Sequence, residues 1–218
     1  MSKSISNSNG STGLKTLCRT AIFLALLIAV QFVTRSMGQY VTGSLVNLVL
    51  IAAALMCGLW GGLAVAVLSP FCAFLIGIGP AFPQIVPAVA LGNAVLVVLW
   101  SLLAGKKDAV VGRYLCALAV AAVAKFLTLY LVIVKWLVPM VLTLNEKQTA
   151  VLSASFSFPQ LITAAVGGVL AVLLVTEARH RLRSKAIPKA FRGLPITLVY
   201  IGVLALAIYG FTGHSVIL

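Results

Sequence analysis

The apolar run Ala117 to Val138, ALAVAAVAKFLTLYLVIVKWLV, carries a lysine near its middle, Lys125. It is the one full charge in the chain that cannot be placed near the end of an apolar segment. An ammonium at membrane depth costs at least a few kcal/mol and normally faces a polar, protein-lined cavity. A lysine can instead snorkel along the bilayer to a headgroup, but the helix on either side of Lys125 is long enough to make that reach awkward. The remainder of the chain is therefore read as a helical bundle that gives this side chain a place to be.

Composition supports the membrane setting. Of 218 residues, 62% are hydrophobic and 9% charged, and mean hydropathy is +1.16. Several runs approach the roughly 20 residues that cross a hydrocarbon core. The short alternating segments of a β-barrel are absent. The fold class expected is an all-α polytopic membrane helical bundle.

In chain order, residues 1–13 are Ser/Asn/Gly-rich and read as a flexible tail. Helix 1 is expected from about Leu14 to Thr34. A second runs from about Ser44 to Leu59, where Gly-Leu-Trp-Gly-Gly at 58–62 makes a tight turn into a third, which reaches about Ile78 and is interrupted at Ser69-Pro70. After the Pro-rich connection GPAFPQIVP, a fourth ends near Ala104. The loop GKKDAVVGR precedes the Lys125 helix, which ends around Pro139. A loop from Thr143 to Ser155 leads to a sixth helix, from near Phe156 to Thr176. The six-helix core thus covers 14–176. A basic linker, 177–194, and a further apolar segment, 195–218, close the chain. In that last part residues 195–211 are at the short limit for a seventh span.

The net charge of +13 sits in the tail and short loops, so it is the positive-inside signature of membrane insertion and not a nucleic-acid-binding face. Lys3, Lys15, Arg19, Lys106, Lys107, Arg113 and the run after helix 6 are placed in the cytoplasm. That arrangement requires six helices with a cytoplasmic amino terminus. Cys18, Cys57, Cys72 and Cys116 form no CxxC pair, lie in or beside apolar runs, and read as small buried residues, not as disulfides or metal ligands.

This topology locates the intramembrane polar residues. Lys125 lies about 18 Å from the cytoplasmic start of its helix, and Asn47, Asn93 and Gln160 lie about 5 to 14 Å below the outer starts of theirs. Gln31 is in the outer part of helix 1. All five fall between the midplane and the outer surface. Single amides also glue membrane helices together, at about 0.6 kcal/mol each, but five polar groups centred on one lysine are read as a ligand pocket opening outward. With Arg35 and Lys135 near its rim and no acid at depth, a buried ammonium either loses its proton or receives an anion from elsewhere. The simplest source is the ligand, read as a small organic molecule with a carboxylate or other anionic group. Asn47, Asn93 and Gln160 would fix its polar atoms, and Trp or Tyr side chains would cover its apolar part. Ala21, Ala25 and Ala29, at i, i+4 and i+8, give helix 1 a smooth stripe for close helix approach.

The basic lead-in and Ala-xxx-Ala stripe of helix 1, the glycine turn between helices 2 and 3, and the stretches GSLVNLVLIAAALMCGLWGGLAVAVLSP, LGNAVLVVLW and SFPQLITAAVGG resemble the substrate-binding S components of energy-coupling factor (ECF) transporters. The resemblance covers roughly residues 14–176. It implies a bacterial plasma-membrane protein that captures a vitamin or related micronutrient from outside. Its implied partners are a membrane coupling protein and two cytoplasmic ATPases. It further implies that Ala21, Ala25 and Ala29 face the coupling protein, and that the ligand sits in the outer half of the bundle. The seventh segment departs from the usual six-helix core. His180 and His214 lie far from the outer cavity, so no metal site is expected.

Other functions remain in view. The acids Asp108, Glu146 and Glu177 are all in loops or at helix ends, which leaves no catalytic residue to name and argues against an enzyme. A stand-alone secondary transporter of a small organic solute is the alternative; proton coupling usually keeps an intramembrane carboxylate, but sodium coupling through backbone carbonyls remains open. The chain has no phosphate-binding loop. It is expected to bind no cofactor, ATP being used by partner subunits.

Overall fold

The computed structural model describes residues 8–80, 82–104 and 111–183. The start of the tail, Lys106 and Lys107, most of the basic linker and the apolar segment at 195–211 lie outside the described residues. Within them the chain is helical and contains no strand, and five helices are long and apolar enough to cross a membrane.

The first helix, α1 (Ser8–Thr34), begins earlier than expected. Once an apolar helix is nucleated, each further turn costs little, so residues 8–13 join the helix instead of the tail. The second, α2 (Gln39–Leu75), is 37 residues long. Straight, it would reach about 55 Å, nearly twice the hydrocarbon thickness. It is not straight: Gly58 has φ 80° and ψ −177°, outside helical space. A Cβ built on Gly62 would stand 2.8 Å from the Cα of Ala54, whereas eight residues of continuous helix would separate them by about 12 Å. The two halves therefore fold back on each other at the glycine turn expected from the sequence. The second half continues as helix through Ser69 and Pro70, both buried, where an interruption was expected. A proline in a membrane helix is tolerated where neighbouring protein satisfies the freed backbone carbonyl.

Next come α3 (Ile85–Ala104) and α4 (Val111–Leu129), the latter passing into π-helical turns at Tyr130–Leu137 and a last turn, α5 (Val138–Met140). The widened turns directly precede Pro139, whose ring crowds the carbonyl one turn back. The segment expected as a loop after Thr143 contains a further helix, α6 (Glu146–Ser155). Asn145 caps it: its side chain accepts from the Gln148 backbone N–H at 2.8 Å, and Gln148 Oε1 accepts from the Asn145 N–H at 3.2 Å. The last helix, α7 (Phe158–Arg183), runs past Thr176 into the basic linker, whose Glu, Ala, Leu and Arg are good helix formers.

The first half of α2 is central. The helix packs on α1, α3 and α7, while α4 closes the ring between α3 and α7. Leu27, Leu50, Ile51, Leu96, Val97 and Trp100 fill the main core, and Trp100 stacks on Tyr114 at 5.7 Å. The α2–α7 approach depends on Gly167, where an added Cβ would fall 2.1 Å from the Ser44 carbonyl oxygen and 2.9 Å from Asn47 Cβ. A smaller cluster at the opposite end from the Gly58 turn joins Ile85, Leu129, Ile133 and Leu137 to Leu152 and Phe156.

Candidate functional site

At that end of the bundle lies a cavity of ≈ 350 Å³, lined by all five residues expected in a pocket: Gln31, Asn47, Asn93, Lys125 and Gln160. Helical periodicity explains how they meet. Val89 and Asn93 on α3 and Lys125 and Leu129 on α4 are each four apart and share a face, while Gln31 lies three residues before the end of α1 at Thr34 and Arg35 follows in the turn beyond it. Because α3 runs inward from the cavity end and α1 and α4 run toward it, Asn93, Lys125 and Gln31 are the deeper residues. The floor is therefore polar. Val46, Val89, Leu129, Leu152 and Phe156 make the walls apolar.

Lys125 does not snorkel. Its side chain is 3% exposed, and Nζ donates to Asn47 Oδ1 at 2.6 Å and to Asn93 Oδ1 at 2.7 Å. Asn47 in turn donates from Nδ2 to Thr163 Oγ1 at 3.4 Å, and Thr163 donates to the Gln160 carbonyl at 3.2 Å. Gln160 Nε2 donates to the Ser155 carbonyl at 3.1 Å, tying α7 to the end of α6. One chain of polar contacts thus joins α3, α4, α2 and α7. Both partners of the lysine are neutral amides, and none of the lining residues is acidic. An ammonium has three donors; two are engaged, and the remaining capacity suits an acceptor-bearing ligand group.

Two expectations about the pocket need correction. Lys135 does not line the cavity; it is exposed and sits 5.6 Å from the Tyr130 ring centroid. Ten residues from Lys125 it is already about 80° off that face in a regular helix, and the π-helical turns carry it further round. Arg35 does line the cavity, with its guanidinium 4.9 Å from the Phe32 ring centroid. Among the described residues no Trp or Tyr lines the pocket, where Phe156 is the aromatic lining residue. Trp100 is committed to the core, and Trp60 and Trp136 are exposed. The sequence reading also missed Thr163, whose signal is its place three residues after Gln160 on the same helical face.

Ala21, Ala25 and Ala29 are all exposed on the outer face of α1, while Leu27 and Val30 face the core. The stripe is thus open to another chain. Ser69 is buried with no hydrogen-bond partner for its hydroxyl. The cysteines are not the buried residues expected: Cys18 and Cys116 are exposed and Cys57 and Cys72 half-buried, on helix faces turned partly out of the bundle. Among the described residues, no cluster of His, Cys, Asp or Glu could hold a metal ion.

A multi-pass helical membrane protein with a polar-floored cavity at one end belongs to the class of membrane proteins that hold a small solute. More specifically, residues 15–177 match the family described as "ECF transporter, substrate-specific component", and the chain belongs to that family. Among curated proteins the similarities are local. A component of the ion-translocating oxidoreductase complex of Syntrophotalea carbinolica is 44% identical over 73 residues, 34% of this chain and 36% of that protein. A component of the Na(+)-translocating ferredoxin:NAD(+) oxidoreductase complex of Acetobacterium woodii is 44% identical over 52 residues, 24% and 27% of the two chains. The chain spans about a third of the length of the first of these relatives and about a quarter of the second. No solved structure matches.

Proposed function

We propose that this chain captures a small organic micronutrient, such as a vitamin bearing an anionic group, from outside the cell and delivers it for ATP-driven uptake by a membrane coupling protein and two cytoplasmic ATPases. The observation that carries the reading is the geometry of Lys125: a buried amine on the floor of a ≈ 350 Å³ cavity, held by two neutral amides. That volume is near the lower end for small-molecule sites, so the substrate is compact. A cation without a protein carboxylate favours a ligand that brings the negative charge.

Orientation supports capture from outside. With the two halves of α2 counted separately, the described residues carry six candidate crossings, with Lys15, Arg19 and Arg113 at the end opposite the cavity mouth. Because positive charge is retained inside, this supports a cytoplasmic amino terminus and an outward mouth. The exposed alanine stripe on α1 is the surface assigned to the coupling protein, by analogy with the family.

A second reading, a membrane component of an ion-translocating redox complex, draws on the local identities to the two oxidoreductase-complex proteins. One experiment separates the two. The full chain is purified from its native membrane, and both its protein partners and its bound small molecules are identified by mass spectrometry. Co-purifying ATPases and a compact anionic metabolite are expected. Redox proteins in their place, or a bound molecule that is neutral or cationic, would overturn the proposal.

A further inference from the structure

Of the five polar residues expected in the pocket, Gln31 is the one the Lys125 network leaves aside. Its Oε1 is buried without a hydrogen-bond partner, although its side chain lines the cavity. The backbone that carries it is fixed. The Thr42 hydroxyl donates to the Thr34 carbonyl at 2.6 Å, the Met37 N–H donates to the same oxygen at 2.9 Å, and the Thr34 hydroxyl donates to the Val30 carbonyl at 2.8 Å. The end of α1 is therefore pinned to the start of α2, and Gln31 cannot leave by a shift of its helix.

An unpaired buried carbonyl oxygen is costly, and a ligand regains that cost only by bringing a donor. A carboxylate or phosphate oxygen cannot do so, since an ionised oxygen only accepts. Gln31 lies inward of Arg35, which follows the end of α1, and both line the cavity with Lys125. We infer that Gln31 determines specificity: the substrate carries, besides its anionic group, a separate uncharged N–H or O–H that donates to Gln31 Oε1. The class is thus an amide- or hydroxyl-bearing organic anion, not a simple carboxylate or inorganic anion. The inference rests on the reading of the cavity as a substrate site and narrows what it accepts. A site built to hydrogen-bond a substrate group discriminates strongly against the analogue lacking it.

The test uses the full-length protein incubated with a deproteinised bacterial extract. Retained molecules are identified by mass spectrometry, and the retained compound and its N- or O-methylated derivative are then titrated against wild type, Gln31→Leu, Gln31→Met and Lys125→Met. The retained compound should carry the separate donor. Each folded Gln31 variant should bind it about 10- to 100-fold more weakly, as expected for one lost buried hydrogen bond. Methylation should weaken binding to wild type and add little further loss in the Gln31 variants. A retained compound without such a donor, or unchanged affinity in both Gln31 variants while Lys125→Met weakens binding, overturns this inference and leaves the anion site standing. Unchanged affinity in folded Lys125→Met instead removes the anion site itself.

Discussion

Lys125→Met isolates the charge on the cavity floor, because methionine keeps most of the volume and removes every donor. Two terms oppose each other in the folded state. Removing a buried cation relieves a desolvation penalty of several kcal/mol. Against that, Asn47 Oδ1 and Asn93 Oδ1 lose the donor they share, at about 1–3 kcal/mol for each acceptor left unpaired. The terms are of similar size, so the variant should fold with a melting temperature close to that of wild type. Binding has no such compensation. Losing a charged hydrogen bond of about 1.5–3 kcal/mol lowers affinity for an organic anion by about 10- to 100-fold. Asn93→Leu provides the contrast: it leaves the lysine buried with one partner fewer, and breaking a buried polar network from that side is the more destabilising change. Thermal unfolding in detergent measures the first effect, and calorimetric titration with the compound retained by wild type measures the second. Wild-type affinity in a folded Lys125→Met protein would refute the reasoning, and Asn93→Leu proving no less stable than Lys125→Met would refute the account of the network.

Gly167→Val should lower stability by about 1–3 kcal/mol or more, since its Cβ would meet the Ser44 carbonyl at 2.1 Å; by separating α2 from α7 it should also weaken ligand binding, both measurable by unfolding and titration. Ala25→Trp should weaken co-purification with a coupling protein while leaving ligand affinity nearly unchanged, because the side chain faces out of the bundle; undiminished co-purification would take the stripe out of the partner surface. In cells expressing a variant without the four native cysteines, Lys107→Cys should resist an impermeant thiol reagent and Lys147→Cys should react, as the positive-inside rule requires; the reverse pattern would invert the topology.

Much of the site was legible because membrane burial makes polar residues conspicuous. In a chain this apolar, Lys125, Asn47, Asn93, Gln160 and Gln31 stood out singly, and helix direction with 1.5 Å per residue brought them to one depth. Gly58 was legible because a 37-residue apolar stretch exceeds one crossing and glycine accepts positive φ. What was not legible depends on local chemistry or exact rotation. α6 has no apolar periodicity to announce it, although Asn145 and Gln148 already spelled a capping box. Lys135 stands ten residues from Lys125, already about 80° around an ordinary helix, and the wider π-helical turns at Tyr130–Leu137 carry it further from that face. Phe156 was passed over because it lies in the short link between α6 and α7, and Thr163 because its signal is only its spacing from Gln160. The expectation of a Trp or Tyr cover failed for a packing reason: Trp100 was already committed to Tyr114.

The most direct test is a structure of the full-length protein bearing the small molecule it retains from cell extract. The account predicts an anionic oxygen of that molecule within about 3.2 Å of Lys125 Nζ, with Asn47 and Asn93 still holding the amine and the rest of the ligand against Val89, Leu129 and Phe156. A bound molecule seated elsewhere, or one that fills this cavity while turning an uncharged apolar group toward Lys125, would contradict it.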